Sequence, residues 1–162
     1  MVCSNAAVRI DRALTLAVVL AQACQPAAQR PGEPPRKVKL FVFPAESSEF
    51  PKTAKATTDA LAGVKVTGID ETQVAKTSLG DAQLLIECNE PTPDCYQAVG
   101  KSLAADRLLF AVIATEQKKK VKITVTLFDV AARRPWGHAE KVFASEAEAS
   151  VGLANLVAEA TR

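Results

Sequence analysis

The chain has 162 residues, of which 48% are hydrophobic and 23% are charged, a composition typical of one globular domain. Its 20 basic and 18 acidic residues leave a net charge of +2, without a long block of one sign. The composition argues against a disordered or collagen-like protein, and the charge balance argues against a nucleic-acid-binding protein, which carries a more basic face.

The first element in the chain is an apolar run that follows two arginines. The run, ALTLAVVLA at 13–21, is too short to span a bilayer but fits the apolar part of a signal peptide. Residues 21–23 (AQA), which begin at the last residue of the run, fit the small-residue rule for cleavage, and Cys24 stands directly after them, where a bacterial lipoprotein carries its acylated cysteine. We therefore expect residues 1–23 to be a signal peptide and Cys24 to be the lipidation site. Simple secretion and a buried amino-terminal helix are the alternatives.

A proline-bearing segment follows the predicted cleavage site. Residues 25–37 contain four prolines and no apolar periodicity, so residues 24–37 are expected to form an extended, lipid-anchored tether. The folded domain is predicted to cover residues 38–162. This arrangement predicts a protein on the periplasmic side of the cell envelope, anchored in the outer membrane through its acyl group.

The first half of the predicted domain alternates strands with helices. Residues 38–44 (VKLFVFP) are apolar on both faces, which predicts a central strand covered by helices on both sides. Residues 49–63 predict a helix that begins at Pro51 and ends at Gly63. A short strand is predicted at 64–70.

Two capped helices are predicted next. Ser78, with an acidic residue three positions on, predicts the start of a short helix, and Thr92 predicts the cap of another whose first residue is Pro93. The predicted buried faces are Ala82, Leu85 and Cys88 for the first helix, and Cys95, Val99 and Leu103 for the second.

Cys88 and Cys95 are predicted to form a disulfide between these two helices. In an oxidising compartment such a pair is most simply a structural bridge, and closing this short loop would contribute about 2 to 3 kcal/mol. A zinc site would need four ligands, and His138, the one histidine in the sequence, leaves the set one short. A catalytic thiol would need a histidine base, but no motif surrounds His138. We therefore expect no catalytic residue, no metal and no cofactor.

The second half of the chain predicts three strands and a helix. Residues 106–116 and 121–130 are predicted to form a β-hairpin, and 138–143 to pair with it. Ser145 is predicted to cap a terminal helix, whose buried residues would be Leu153, Leu156, Val157 and Ala160. The element order predicts an α/β fold with a single mixed sheet, parallel early and antiparallel in the carboxyl-terminal hairpin, with flanking helices.

The string LIECNEPTPDCYQAVGKSLAADRLLFAVIA, followed by KKVKITVTLFDVAARR, resembles the amino-terminal module of TolB and of TolB-like envelope lipoproteins. The matching positions are Cys95, Gly100, Leu103, Ala105, Asp106, Leu127, Asp129 and Val130. The resemblance covers residues 38–145 and implies a non-catalytic α/β domain that binds or positions another envelope protein. We expect a small, single-domain member of this group, without the β-propeller of TolB.

Two groups of residues are candidate interfaces. Trp136, beside Arg133 and Arg134, would either anchor a protein interface or cover the end of the hairpin. The second group is the hairpin tip, which either protects the sheet edge or contacts anionic lipid or cell-wall polymer: Lys118, Lys119 and Lys120. Asp106, before its strand, is expected to act as a hydrogen-bonding turn residue.

The leading hypothesis from the sequence is a non-catalytic envelope lipoprotein whose domain binds another envelope protein. The alternative is a periplasmic binding protein for a small ligand or a cell-wall polymer. Its crevice would lie at the carboxyl ends of the parallel strands, near 44–48 and 69–72. A hydrolase or thiol enzyme is disfavoured because the sequence contains no G-x-S-x-G, P-loop or H-E-x-x-H motif.

Overall fold

The structure, a computed structural model, describes residues 36–88, 90–117 and 120–162. In chain order its elements are β1 (Lys39–Val42), α1 (Pro51–Gly63), β2 (Glu71–Val74), α2 (Leu79–Leu85), α3 (Pro93–Ser102), β3 (Arg107–Glu116), β4 (Lys120–Asp129), β5 (Arg134–Phe143) and α4 (Glu146–Ala160). The predicted signal peptide, the lipidation site at Cys24 and nearly all of the tether lie outside the described residues.

The five strands form one mixed sheet in the order β2-β1-β3-β4-β5. β1 pairs in parallel with both β2 and β3, whereas β3, β4 and β5 pair antiparallel. The parallel pairs join strands that a helix separates in the chain, and the antiparallel pairs join strands linked by short turns, as connection lengths require. The predicted α/β fold with one mixed sheet is confirmed.

β1 is an interior strand with apolar residues on both faces. Leu40 and Val42 join the larger hydrophobic cluster, and Phe41 and Phe43 join a second cluster on the opposite face. All four side chains are at most 5% exposed. Because helices cover both faces, the alternation of polar and apolar residues that marks a half-exposed strand is absent here.

Helices α1 and α4 cover one face of the sheet. The Ser145 hydroxyl accepts a hydrogen bond from the Glu148 N–H at 3.2 Å, which caps α4 as predicted. The Thr53 hydroxyl donates to Glu146 Oε2 at 3.0 Å and links the first turns of α1 and α4. The buried residues of α4 include the four that the sequence predicted: Leu153, Leu156, Val157 and Ala160.

Helix α3, with α2 beside it, covers the opposite face. The Thr92 hydroxyl accepts from the Cys95 N–H at 3.3 Å and caps α3 as predicted. The Tyr96 ring lies 4.9 Å from the ring of Phe110 and 5.4 Å from that of Phe128, between centroids. Such aromatic pairs fix the position of α3 on β3 and β4 more specifically than aliphatic packing does.

The strand predicted at 64–70 is wrong, because the second strand lies further along, at Glu71–Val74. Gly68 adopts a φ of +77°, a turn conformation that glycine adopts without steric cost. Asp70 then accepts from the Val38 N–H at 2.7 Å and sets the parallel register of β1 and β2. All four residues of β2 are exposed, so the strand has no buried side whose pattern could reveal it.

The buried face predicted for α2 is also partly wrong. Leu85 is 79% exposed, and Cys88 lies beyond the helix, which ends at Leu85. No residue of α2 is fully buried, and the helix contacts the second cluster through Leu79 and Ala82, which are only partly buried. The predicted cap at Ser78 is confirmed, since its hydroxyl accepts from the Asp81 N–H at 3.1 Å.

Candidate functional site

A cleft of about 260 Å³ lies where β3 begins, β4 ends and β5 begins. Its lining residues are Arg107, Asp129, Arg134, Pro135 and Trp136. Three ten-residue strands meet here through long antiparallel ladders, so their ends form a stable frame for the side chains of the cleft.

Arg107 is the fixed centre of this cleft. Its Nη2 lies 3.1 Å from Asp129 Oδ2, and its Nη1 donates to the backbone carbonyl of Asp106 at 3.0 Å. Its Nε is buried and has no hydrogen-bond partner in the described part of the chain. The guanidinium carbon lies 4.2 Å from the centroid of the Trp136 ring, within the range of a cation–π interaction. The cation therefore supports one face of the tryptophan.

Trp136 remains half-exposed, at 51%, despite this contact. The pairing of β4 with β5 shifts register between Leu127 and Phe128, so that Leu127 is opposite Gly137 and Phe128 is opposite Pro135. Trp136 is the extra residue of this bulge, and bulges reorient side chains next to binding sites. The ring both covers the end of the hairpin and exposes its outer face, so the interface assignment from the sequence stays a prediction.

Arg133 and Arg134 lie next to the tryptophan in the turn between β4 and β5 and at the start of β5. Arg133 has a φ of +56° and forms an ion pair with Asp94 in the first turn of α3. Arg134 is exposed and lines the cleft. We call Trp136, Arg133, Arg134 and the cleft the Trp136 surface.

Lys120, the one described residue of the second predicted group, lies at the opposite end of β3 and β4 from Trp136. Lys120 pairs with Glu116, whereas Asp129 pairs with Arg107 beside Trp136. Ten residues of antiparallel strand separate these ends by about 30 Å. Lys118 and Lys119 lie outside the described residues, and Lys120 lies too far from the Trp136 surface to share one continuous interface with it.

Lys122, near this tip, is paired within the sheet. Its Nζ lies 2.9 Å from Glu140 Oε1 on the neighbouring strand, and the Thr124 hydroxyl donates to Glu140 Oε2 at 3.0 Å. The hydrogen bonds from Lys122 and Thr124 hold the pKa of Glu140 below its ordinary value. Lys122 therefore serves the pairing of β4 with β5.

The two cysteines of the described domain lie at disulfide distance, as predicted. Cys88 and Cys95 form a disulfide with their Cα atoms 5.8 Å apart, within the ordinary range for such bonds. Cys88 follows α2, and Cys95 lies in the first turn of α3. The bridge therefore joins the carboxyl-terminal end of α2 to the well-packed helix α3.

His138 and Asp106 occupy structural positions. His138 lies on β5, with its Nδ1 3.3 Å from the Thr126 hydroxyl on β4. Asp106 Oδ2 accepts from the Lys39 N–H at 2.9 Å, and its Oδ1 pairs with Arg36 at 2.7 Å, so the predicted turn role of Asp106 is confirmed. Among residues 36–88, 90–117 and 120–162, no cluster of three histidine, cysteine or acidic side chains could hold a metal ion.

The crevice predicted from the parallel strands is partly misplaced. Residues 69–72 lie at the amino end of β2, because this strand begins at Glu71 and not earlier. At its carboxyl end an apolar cleft of about 310 Å³ opens between the sheet, α2 and the end of α3. Its lining residues are Phe41, Phe43, Gln73, Val74, Ala75, Lys76, Thr77, Ala82, Leu85, Ser102 and Leu103, and we call it the α2 cleft.

Comparisons with known proteins gave structural likenesses at low identity only. No family model and no curated protein matches the chain. A PelC dodecamer from Paraburkholderia phytofirmans matches with 16% identity over 76% of this chain and 85% of that one, at a TM-score of 0.42. The LpoB carboxyl-terminal domain from Escherichia coli matches with 13% identity over 67% of this chain and 83% of that one, at a TM-score of 0.43. A hypothetical protein from Chlamydia trachomatis matches with 13% identity over 66% of this chain and 74% of that one, at a TM-score of 0.27.

These scores are too low to support an argument about function, and the TolB-like classification stays a prediction. In the described part of the chain, no helix combines the length and the apolar character needed to cross a membrane.

Proposed function

We propose that this chain is a non-catalytic lipoprotein of the bacterial cell envelope whose TolB-like domain binds another envelope protein. The sequence supports the envelope assignment through the predicted signal peptide, the acylation site at Cys24 and the tether at 24–37. An outer-membrane acyl anchor and a tether raise the local concentration of the domain, so a modest interface is sufficient for its role.

The Trp136 surface is the observation that carries the proposed protein-binding role. Tryptophan and arginine are the residues that most often dominate binding energy in protein interfaces. The Trp136 ring is already ordered against Arg107, so little conformational entropy is lost when a partner covers its exposed face. The adjacent cleft offers a concave site for one side chain of the partner.

The position of this surface also suits a tethered domain. The chain enters the described domain at Arg36, which pairs with Asp106, and Asp106 directly precedes Arg107. The Trp136 surface therefore lies at the end of the sheet where the chain enters β1, and the proposed tether would join the domain at that end. A partner bound there stays within the reach of a short tether.

Replacing Trp136 by alanine is expected to weaken partner binding about 30-fold or more, the loss of a hot-spot side chain. The partner would first be identified in intact cells through a photo-crosslinking residue placed at Pro135, and its affinity for the purified chain would then be measured. The matched control is Val151→Ala, since Val151 is an exposed apolar residue on α4, at 83% exposure. Equal affinities of the two variants would contradict the proposal, provided that both melt as the wild type does.

The anchor is tested separately by mass spectrometry of the protein from its native membrane. An acylated amino terminus at Cys24 is expected. A mature chain that begins elsewhere and carries no lipid would refute the anchor, although the Trp136 surface could still bind its partner.

A further inference from the structure

The α2 cleft is an apolar site on the face of the sheet opposite to Arg107. Its floor consists of Phe41 of β1 and Phe43 directly after it, which are buried, and of the partly buried Ala75 after β2. Ala82 of α2 and Leu103 at the end of α3 form its walls. The cleft is therefore a gap in the helical layer that covers this face.

The mouth of the cleft exposes apolar groups that a bound molecule would cover. Leu85 is 79% exposed and Val74 is 47% exposed, and both line the cleft. Burying such surface is the main favourable term in binding a small apolar molecule. An apolar cleft with exposed leucine and valine side chains at its mouth indicates a site for an apolar group.

Helix α2 contacts the second cluster only through partly buried residues, and a disulfide attaches the segment that follows it to α3. No residue of α2 is fully buried, but Ser78 caps one end, and the Cys88–Cys95 disulfide attaches the segment after the other end to α3. This attachment keeps one wall of the cleft in position. The disulfide therefore acquires a role in shaping the site.

Polar groups lie at the rim of the cleft and indicate what a bound molecule would carry besides its apolar group. Lys76 is exposed and forms no ion pair with any residue that the structure describes. Gln73, Thr77 and Ser102 add an amide and two hydroxyl groups to the lining. A single cation at the edge of an apolar cleft is complementary to one anionic head on one apolar chain.

We propose that the α2 cleft binds a small amphiphilic carboxylate, with its aliphatic chain under α2 and its carboxylate at Lys76. The volume, about 310 Å³, lies at the lower end of the range for ligand sites, roughly 300 to 1,000 Å³, and fits one short chain. A lone cation and a single compact cleft favour such a molecule over an extended peptide, which needs several side-chain pockets. The site is independent of the Trp136 surface and goes beyond the protein-binding role.

The test is a titration of the full chain with octanoate, followed by amide chemical shifts. Saturable shifts are expected at residues that line the α2 cleft. Leu85→Asp should weaken binding at least tenfold, because it places a carboxylate at the mouth. The matched control is Leu84→Asp on the same helix. Leu84 is 68% exposed but lines a different depression, so the variant should bind octanoate as the wild type does.

The role of Lys76 is tested with Lys76→Glu and with octylamine as a cationic probe. Lys76→Glu should weaken octanoate binding about tenfold, and octylamine should bind the wild type more weakly than octanoate does. Melting temperatures would verify that all variants fold. The proposal is overturned if octanoate causes no saturable shifts, if Leu84→Asp and Leu85→Asp bind it equally, or if octylamine binds as tightly as octanoate.

Discussion

Replacing Phe143 by alanine is expected to lower the free energy of unfolding by about 3 to 5 kcal/mol. Phe143 is the last residue of β5 and is fully buried, with 0% exposure, beneath α4. The large cavity left by the ring cannot be filled by neighbouring side chains that belong to a regular sheet and helix. Urea unfolding monitored by circular dichroism measures the change.

Gly152 of α4 makes this prediction specific. A Cβ atom at Gly152 would overlap Cε1 of the Phe143 ring and lie 3.0 Å from its Cζ. Gly152→Ala alone is therefore expected to destabilise the protein. When Phe143 is also alanine, the clash is gone and the helix preference of alanine over glycine, about 1 kcal/mol, becomes favourable. The double-mutant cycle should show strong coupling, and additive effects of the two changes would contradict this packing.

Replacing Gly137 by alanine is expected to lower the free energy of unfolding by about 1 to 3 kcal/mol or more, the typical penalty of overpacking a tight contact. Gly137 lies on β5 beside the bulge that carries Trp136. A Cβ atom there would overlap the backbone carbonyl oxygen of Ala160 and lie 2.8 Å from the carbonyl carbon. Backbone atoms cannot rotate away as a side chain does, so the end of α4 would have to shift.

The control for this prediction is Gly63→Ala at the end of α1, where a Cβ atom would meet no other atom within 4 Å. That variant is expected to match or slightly exceed the stability of the wild type, because alanine favours a helix. Thermal and urea unfolding of both variants measure the difference. If Gly137→Ala unfolds at the same urea concentration as Gly63→Ala, α4 does not contact β5 as described.

Local chemistry explains what could be predicted from the sequence. The caps at Ser78, Thr92 and Ser145 depend on hydrogen bonds within four residues, so the chain itself records them. The alternation of apolar and polar residues at 121–125 predicts the buried face of β4, where Val121, Ile123 and Val125 are buried, but Thr126 on the other face is buried as well. Element order then restricts the topology to one mixed sheet.

Long-range contacts explain what could not be predicted. The partner of Trp136 is Arg107, 29 positions earlier, and nothing near either residue indicates the other. The predicted position of the second strand lies several residues before β2, because the four exposed side chains of β2 carry no pattern of burial. The α2 cleft is formed by single apolar residues from separate segments, such as Val74 and Leu85, each of which is unremarkable in its own surroundings.

The contacts of Arg36 and Lys39 with Asp106, at the start of β1, affect how the domain resists a pulling force. Lys39 bonds to Asp106, and β1 lies between two parallel neighbours, so a pull on Arg36 along the strand loads both hydrogen-bond ladders in shear. Peeling an edge strand would break the bonds of one ladder singly, at lower force. Because the described chain enters the sheet through an interior strand, tension on the preceding segment is distributed over both ladders. The domain therefore resists unfolding when it is pulled through that segment.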